Sequence, residues 1–445
     1  MQAASQQSSA QAERASALSG QARLPGDKSI SHRAIILAAA ATGTSMIKGL
    51  LEGDDVLATI NAMRALGTTI DKQDNGDWRV CGVGPMGFVS PTAPLDFGNS
   101  GTGVRLVMGL VAGAGIDAQF IGDASLSARP MERVLTPLRK MGAQAKASDG
   151  CLPVTLTAAP LIATSHVPNV ASAQVKSAIL LAALGVQGDS EVREKIATRD
   201  HSETMLAAFG ADITTTEEDG YYIAKLQNKT GPTDLHATDL QVPGDPSSAA
   251  FPLIAALTVP GSDVVLENVM LNRRRDGLIR VLRDMGGAIE LLNERQSGGE
   301  SVADLRVRHS SLRGIEVGSD IAADMIDEFP ALAVAAASAD GATHMAGLGE
   351  LRVKESDRLA AIEAGLKANG VALEAGEDWL RVHGKQNGTA GGGLVATHHD
   401  HRIAMAFLCL GLVSDQPVRV DDTAMIDTSF PSFFELMGGL GAKIV

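Results

Sequence analysis

The stretch "LPGDKSIS", Leu24–Ser31, returns in altered form as "VPGDPSSA", Val242–Ala249, and the pairing decides how the chain divides. Each copy runs directly into an apolar, helix-like segment. Pro25 and Pro243 lie 218 residues apart in a chain of 445, so the sequence reads as two similar halves. At this length two hydrophobic cores are expected, each large enough to stand alone.

A shorter repeat lies inside the longer one. Six times an amphipathic helix pattern meets a Gly at the place where a left-handed residue ends a helix, and a short alternating strand follows. The instances are "NAMRALGTTI" at Gly67, "TPLRKMGAQA" at Gly142, "LAAFGADIT" at Gly210, "LRDMGGAIEL" at Gly286, "GLKANGVALE" at Gly370 and "MGGLGAKIV" at Gly441. They recur at intervals of 68 to 84 residues, three before Pro243 and three after it. The expected class is therefore α/β, with three α/β units in each half and a site in the cleft between them.

Composition narrows the ligands. A net charge of −14 opposes general binding to nucleic acid or to anionic membranes, so an anionic ligand must meet locally gathered Lys and Arg. Cys81, Cys151 and Cys409 are odd in number and lack Cys-x-x-Cys spacing, which indicates neither a disulfide framework nor a zinc site and fits a reducing cytoplasm. No apolar run approaches the ~18 residues of a membrane span. Residues 1–20 have Arg14 as their only basic residue and no apolar core, so they make a poor targeting signal and are expected to be a disordered tail.

Basic and glycine-rich clusters stand where helices should begin. The first turn of a helix offers unpaired N–H groups and positive potential, which together attract anions. Lys28 and Arg33 flank one such entrance; "FGNSGTGVRL", "ASLSARPM" with Arg129 ahead of a Pro at N1, "ASAQVKSA" and "DHRIAMAF" with Arg402 supply others. Plainer readings compete at each. "GDKS" alone is a turn and an N-cap, and it is no nucleotide P-loop, because Gly20 and Gly26 stand six apart and Asp27 separates Gly26 from Lys28. "RRR" at Arg273–Arg275 reads as a solvated charge run. "HHDHR" invites a metal, yet consecutive His residues do not point together, and Cys409 reads as packing. Asp327 and Glu328 could be N-cap carboxylates before "FPALAVAAA", and Lys354 to Arg358 a surface ion-pair network.

Taken jointly and in this order, "LPGDKSISHR", "GNSGTGVRL", "DASLSARPM", "ASAQVKSA", "TRDHSE", "PGDPSSAAFPL", "MIDEFP", "LRVKESDR" and "DHRIAMAF" resemble the 5-enolpyruvylshikimate-3-phosphate (EPSP) synthase family from Leu24 to Phe407, and most closely its bacterial subgroup that includes glyphosate-tolerant members. The resemblance implies the two-lobed enolpyruvyl transferase fold, each lobe of three βαβαββ units with buried helices. It implies lobes of 25–242 and of 21–24 with 243–445, with the active site between them. It also implies the family reaction: the enolpyruvyl group of phosphoenolpyruvate moves to the 5-hydroxyl of shikimate 3-phosphate and phosphate is released. No cofactor and no metal are expected, the protein is expected to be a cytoplasmic monomer, and glyphosate is expected to compete with phosphoenolpyruvate.

Carried over position by position, the resemblance gives shikimate 3-phosphate to Lys28, Ser29, Arg33, Ser172, Ala173, Gln174, Arg199, Asp327 and Lys354. It gives phosphoenolpyruvate to Lys28, Gly101, Arg129, Gln174, Arg358 and Arg402, whose planar guanidinium forks suit a carboxylate and a phosphate. Asp327, Glu355 and Lys28 are the expected catalytic groups. Two departures stand out: "DTSFP" has Thr428 and Ser429 where members outside the subgroup carry a Lys, and Gly101 stands where tolerant members carry Ala. One rival is the sister enzyme that acts on UDP-N-acetylglucosamine, which uses a loop Cys that neither Cys81 nor Cys151 matches. The other is a non-catalytic anion-binding repeat scaffold, which has no use for carboxylates among its cations.

Overall fold

The computed structural model describes residues 9–169, 172–386 and 388–445. The chain forms two compact units. One comprises Gly26–Pro243 with Gln296–Glu300; the other comprises the N-terminal segment to Pro25 with Gly244–Arg295 and Ser301–Val445. Among the described residues there are six four-stranded sheets, three in each unit.

The sheets share one plan. In a representative unit Ser165–His166 runs parallel to Ser190–Glu194, which pairs antiparallel with Tyr221–Leu226, itself antiparallel to Ile213–Glu218. Helix Ala173–Ala183 makes the parallel crossover and His201–Ala208 leads into the hairpin, giving βαβαββ. Three of the six sheets borrow a strand from far along the chain: Leu240–Gln241 joins Thr42–Lys48, Ser19–Arg23 joins Asp263–Met270, and Ala10–Glu13 lies between Val418–Val420 and Lys443–Ile444. All six glycines of the repeat have positive φ, from 76° to 111°, as helix ends of this kind require.

These borrowed strands correct the disordered-tail expectation from residue 9 onward; residues 1–8 lie outside the described residues. Ala12 and Leu18 are fully buried, and Ala10 is paired with Val420. An Ala-x-Ala strand carries almost no hydrophobic signal of its own, because its stability comes from two neighbours more than 400 residues away. Arg275 is a second correction. It is buried, not solvated, and its Nη2 donates to Asp245 Oδ1 and Ser247 Oγ, both at 3.0 Å.

The six crossover helices are α1 Lys28–Ala40, α2 Gly101–Ala114, α3 Ala173–Ala183, α4 Pro246–Thr258, α5 Phe329–Ala337 and α6 His401–Gly411. Each is apolar on nearly every side and so belongs inside. In α1 every residue from Ile30 to Ala40 is buried. Helices α2 and α3 approach closely because α2 has glycines one turn apart: a Cβ on Gly109 would lie 2.2 Å from the Ala178 carbonyl oxygen, and one on Gly113 2.4 Å from that of Ala182.

The helix mouths follow a consistent rule. No acidic side chain stands in the first turn of any of these six described helices. Asp27, Ser100, Ser172, Asp245 and Asp400 each cap one of them by accepting a backbone N–H, while α5 starts without a side-chain cap. Pro130 is not the first helical residue after Arg129; that helix is Glu132–Lys140, so Arg129 sits on a turn ahead of it.

Candidate active site

In the 244–445 unit the candidate residues gather around one guanidinium. Arg358 opens helix Arg358–Ala368 and is fully buried, so it is no surface ion-pair partner. Its Nε donates to Asp400 Oδ2 at 2.7 Å, its Nη1 to Asp327 Oδ1 at 3.1 Å and its Nη2 to Glu355 Oε2. Lys354 Nζ lies 3.4 Å from Asp327 Oδ1, and Arg402 Nη1 reaches the Asp327 carbonyl at 3.4 Å and Glu328 Oε1 at 3.8 Å. Asp327 is thus ringed by cations and does not cap α5, and Glu328 is drawn away to Ser247 Oγ.

Charge in this cluster is nearly balanced, three carboxylates sharing Arg358 with Lys354 and Arg402 beside them. Partial burial works against the charge on Glu355, but Arg358 and Arg402 hold its carboxyl below the usual range. Asp400, fully buried, is likewise held low despite that burial, chiefly by Arg358. Burial pushes His401 down to about 3, with Arg402 adding to the effect, so the ring is neutral at pH 7. Glu355 is the half-exposed member, the carboxylate of the three most open to an incoming ligand.

In the 26–243 unit the candidates form two adjoining groups that meet at the start of α3. Arg33, on α1, donates from Nε to Ser202 Oγ at 2.8 Å, from Nη1 to the Ser29 carbonyl at 3.0 Å and from Nη2 to Ser177 Oγ at 2.8 Å. Burial lowers it to about 10, still a cation at pH 7, with Glu203 opposing the fall and Arg199 adding to it. Lys28 Nζ is held by Asp55 Oδ2 at 2.6 Å. In the second group Arg129 Nη2 donates to Asn99 Oδ1 at 2.7 Å, and Gln174 Nε2 donates to Thr102 Oγ1 at 3.0 Å. Ser172 caps α3, of which Ala173 is the first residue. A 430 Å³ cavity between Val167–Asn169, Glu194–Ile196 and Tyr221 is lined by none of the candidate residues.

Comparison with known proteins gives this geometry its context. The sequence profile described as "EPSP synthase (3-phosphoshikimate 1-carboxyvinyltransferase)" matches residues 12–437. A 3-phosphoshikimate 1-carboxyvinyltransferase of Parvibaculum lavamentivorans is 56% identical over 98% of this chain and 97% of its own. The chain belongs to the EPSP synthase family. A Chelativorans sp. relative with the same activity name is also 56% identical, over 96% of this chain and 95% of its own. The solved EPSP synthase of Acinetobacter baumannii superposes with a TM-score of 0.92 at 43% identity, covering 98% of this chain and 99% of that one.

Family membership makes the chain an enzyme, a 3-phosphoshikimate 1-carboxyvinyltransferase, and sets aside both the UDP-N-acetylglucosamine reading and the non-catalytic scaffold. Sequence reasoning missed three EPSP synthase residues that the geometry brings forward. Arg105 is buried and donates to the Gly101 carbonyl at 3.2 Å, to Gln174 Oε1 at 2.9 Å and to the Pro130 carbonyl at 3.3 Å. Asp400 anchors Arg358, and Asp55 holds Lys28. Arg105 and Asp400 stood inside quoted motifs and could have been weighed there. Asp55 stood outside them, and only the folded contact reveals it.

Proposed function

We propose that in this EPSP synthase Lys28, Ser29, Arg33, Ser172, Ala173, Gln174, Arg199, Asp327 and Lys354 hold shikimate 3-phosphate, while Lys28, Gly101, Arg129, Gln174, Arg358 and Arg402 hold phosphoenolpyruvate. The two sets serve one pair of substrates. The supporting observation is Asp327 itself, a carboxylate placed within 3.4 Å of Lys354 Nζ and 3.1 Å of Arg358 Nη1.

The chemistry follows from charge. Two phosphates and two carboxylates must be neutralised, which is the work of the arginines, lysines and open helix mouths. Asp327 takes the proton of the 5-hydroxyl as that oxygen bonds to C2 of phosphoenolpyruvate, and C3 takes a proton from the ammonium of Lys28, giving a tetrahedral adduct. Glu355, ionised against Arg358, then removes a proton from C3 while the C2–O bond breaks and phosphate departs with its electron pair.

The finer expectations rest on this reading. The enzyme works in the cytoplasm as a monomer, belongs with the subgroup that has tolerant members, and binds glyphosate in the phosphoenolpyruvate position. Gly101 leaves room there: a Cβ would sit 3.1 Å from Arg105 Nη1 and 3.2 Å from Arg129 Nη1, pressing on both. Gly101→Ala is expected to raise the glyphosate inhibition constant about tenfold or more, with a smaller rise in KM for phosphoenolpyruvate. An unchanged inhibition constant would refute that placement.

Phosphate release from phosphoenolpyruvate, measured with shikimate 3-phosphate in one reaction and UDP-N-acetylglucosamine in another, tests the activity. Release is expected only with shikimate 3-phosphate. Release with the nucleotide sugar alone would overturn the reading.

A further inference from the structure

Lys176 lies in the "ASAQVKSA" motif, two residues after Gln174, yet it cannot serve as a substrate ligand. Its side chain is 4% exposed, and Nζ is taken by Glu194 Oε2 and Glu203 Oε1, both at 2.8 Å. The ammonium also approaches the Thr198 carbonyl at 3.4 Å. Glu194 in turn accepts from Thr198 through Oε1 to the hydroxyl at 2.7 Å and through Oε2 to the backbone N–H at 3.4 Å. Thr198 is therefore fastened from within by three bonds, and Arg199 is the next residue.

The following turn is fastened too. In helix His201–Ala208 the first three residues each bind a different neighbour: His201 Nδ1 meets Glu300 Oε1 at 2.7 Å, Ser202 accepts from Arg33 and donates to Ser177, and Glu203 meets Lys176. The charges also have a direction. Two carboxylates converge on one ammonium, and Glu203, whose carboxyl burial pushes up against the pull of Lys176, is the carboxylate that most favours the cationic form of Arg33. Buried ion pairs cost desolvation and add little net stability, so a fully buried triad beside a cationic site calls for another role.

We propose that Lys176, Glu194 and Glu203 form a buried positioning set that fixes Arg199 through Thr198 and balances Arg33, so that both guanidiniums are aligned for the 3-phosphate of shikimate 3-phosphate. The proposal rests on the assignment of Arg33 and Arg199 to that phosphate. It separates the phosphate from the rest of the ligand: loosening the set weakens recognition of the phosphate and leaves the carbocyclic ring and phosphoenolpyruvate untouched.

The test compares shikimate 3-phosphate with shikimate, the same ring without the phosphate, by calorimetric titration. Lys176→Met removes the ammonium at similar length, and Thr198→Val removes only the hydroxyl bond to Glu194. For Lys176→Met the dissociation constant of shikimate 3-phosphate should rise about tenfold, and for Thr198→Val about threefold, as expected when charged hydrogen bonds lose their geometry. Shikimate affinity and KM for phosphoenolpyruvate should stay within about twofold. An equal loss for both ligands, or no loss for either in folded protein, overturns the proposal; if Lys176→Met does not fold, Thr198→Val decides by the same ratio. Arg199→Ala tests the underlying assignment separately: it should weaken shikimate 3-phosphate alone. A null effect there removes the phosphate role of Arg199 and the proposal with it, whereas a loss there beside intact Lys176→Met binding overturns the positioning set only.

Discussion

Arg358 shows how much one side chain organises. With Nε on Asp400, Nη1 on Asp327 and Nη2 on Glu355, its fork holds two carboxylates assigned to proton transfer and a third that caps α6. Replacement by Lys keeps the charge but loses the fork, so Arg358→Lys should raise KM for phosphoenolpyruvate about tenfold or more and lower kcat as well. Steady-state kinetics at saturating shikimate 3-phosphate would show this, and a KM within twofold of the parent would contradict it. Glu355→Gln should lower kcat by roughly 10²-fold or more with little change in either KM, as for loss of a general base. At this scale the sequence was legible where a motif marked a charged residue, as with Asp327, Glu355 and Arg402. It was not legible for Asp55 or Lys176, whose meaning depends on which side chains they meet 18 to 27 residues along the chain.

Among the elements, the crossover helices were the easiest to foresee and their packing the hardest. Apolar runs mark all six, while the six repeat glycines end the other helix of each unit, but nothing in "GVRLVMGLVAGA" says that Gly109 faces Ala178. Gly109→Ala should destabilise the 26–243 unit by about 1–3 kcal/mol or more, because its Cβ has no room beside the Ala178 carbonyl. Urea titration would measure the loss, and an unchanged midpoint would disprove the close approach. The N-terminal strand went unseen for the opposite reason, its residues being small and its partners distant. Ala12→Asp places a charge at a fully buried position between two strands and should cost about 3–5 kcal/mol, the usual range for an uncompensated buried charge. A true tail would tolerate that change without effect on the melting temperature.

Across the whole molecule, buried neutral histidines link stability to pH. His32 and His401 both have folded values near 3, set first by burial, against an ordinary value of 6.5. The unfolded chain therefore takes up protons that the folded chain refuses, and stability is full above pH 6.5 and falls as the pH drops toward 3. Each ring contributes a slope of about 1.4 kcal/mol per pH unit well inside that window. Urea midpoints should thus decline between pH 7 and pH 5, and a flat profile would show that the rings are not buried neutral.

The duplicated architecture, by contrast, could be read from two echoing octapeptides and six glycines, because a repeat is written along the chain. The passage of Gln296–Glu300 into the other unit could not, since a hairpin turn of "QSGGE" looks like any surface loop.

Asp327, surrounded by Lys354, Arg358 and Arg402, is the group assigned to the proton chemistry on the 5-hydroxyl. Phosphate release by Asp327→Asn at saturating phosphoenolpyruvate and shikimate 3-phosphate tests it most directly. A kcat lowered by roughly 10²–10⁴-fold is expected while the variant still binds shikimate 3-phosphate. Turnover within threefold of the parent enzyme would contradict it.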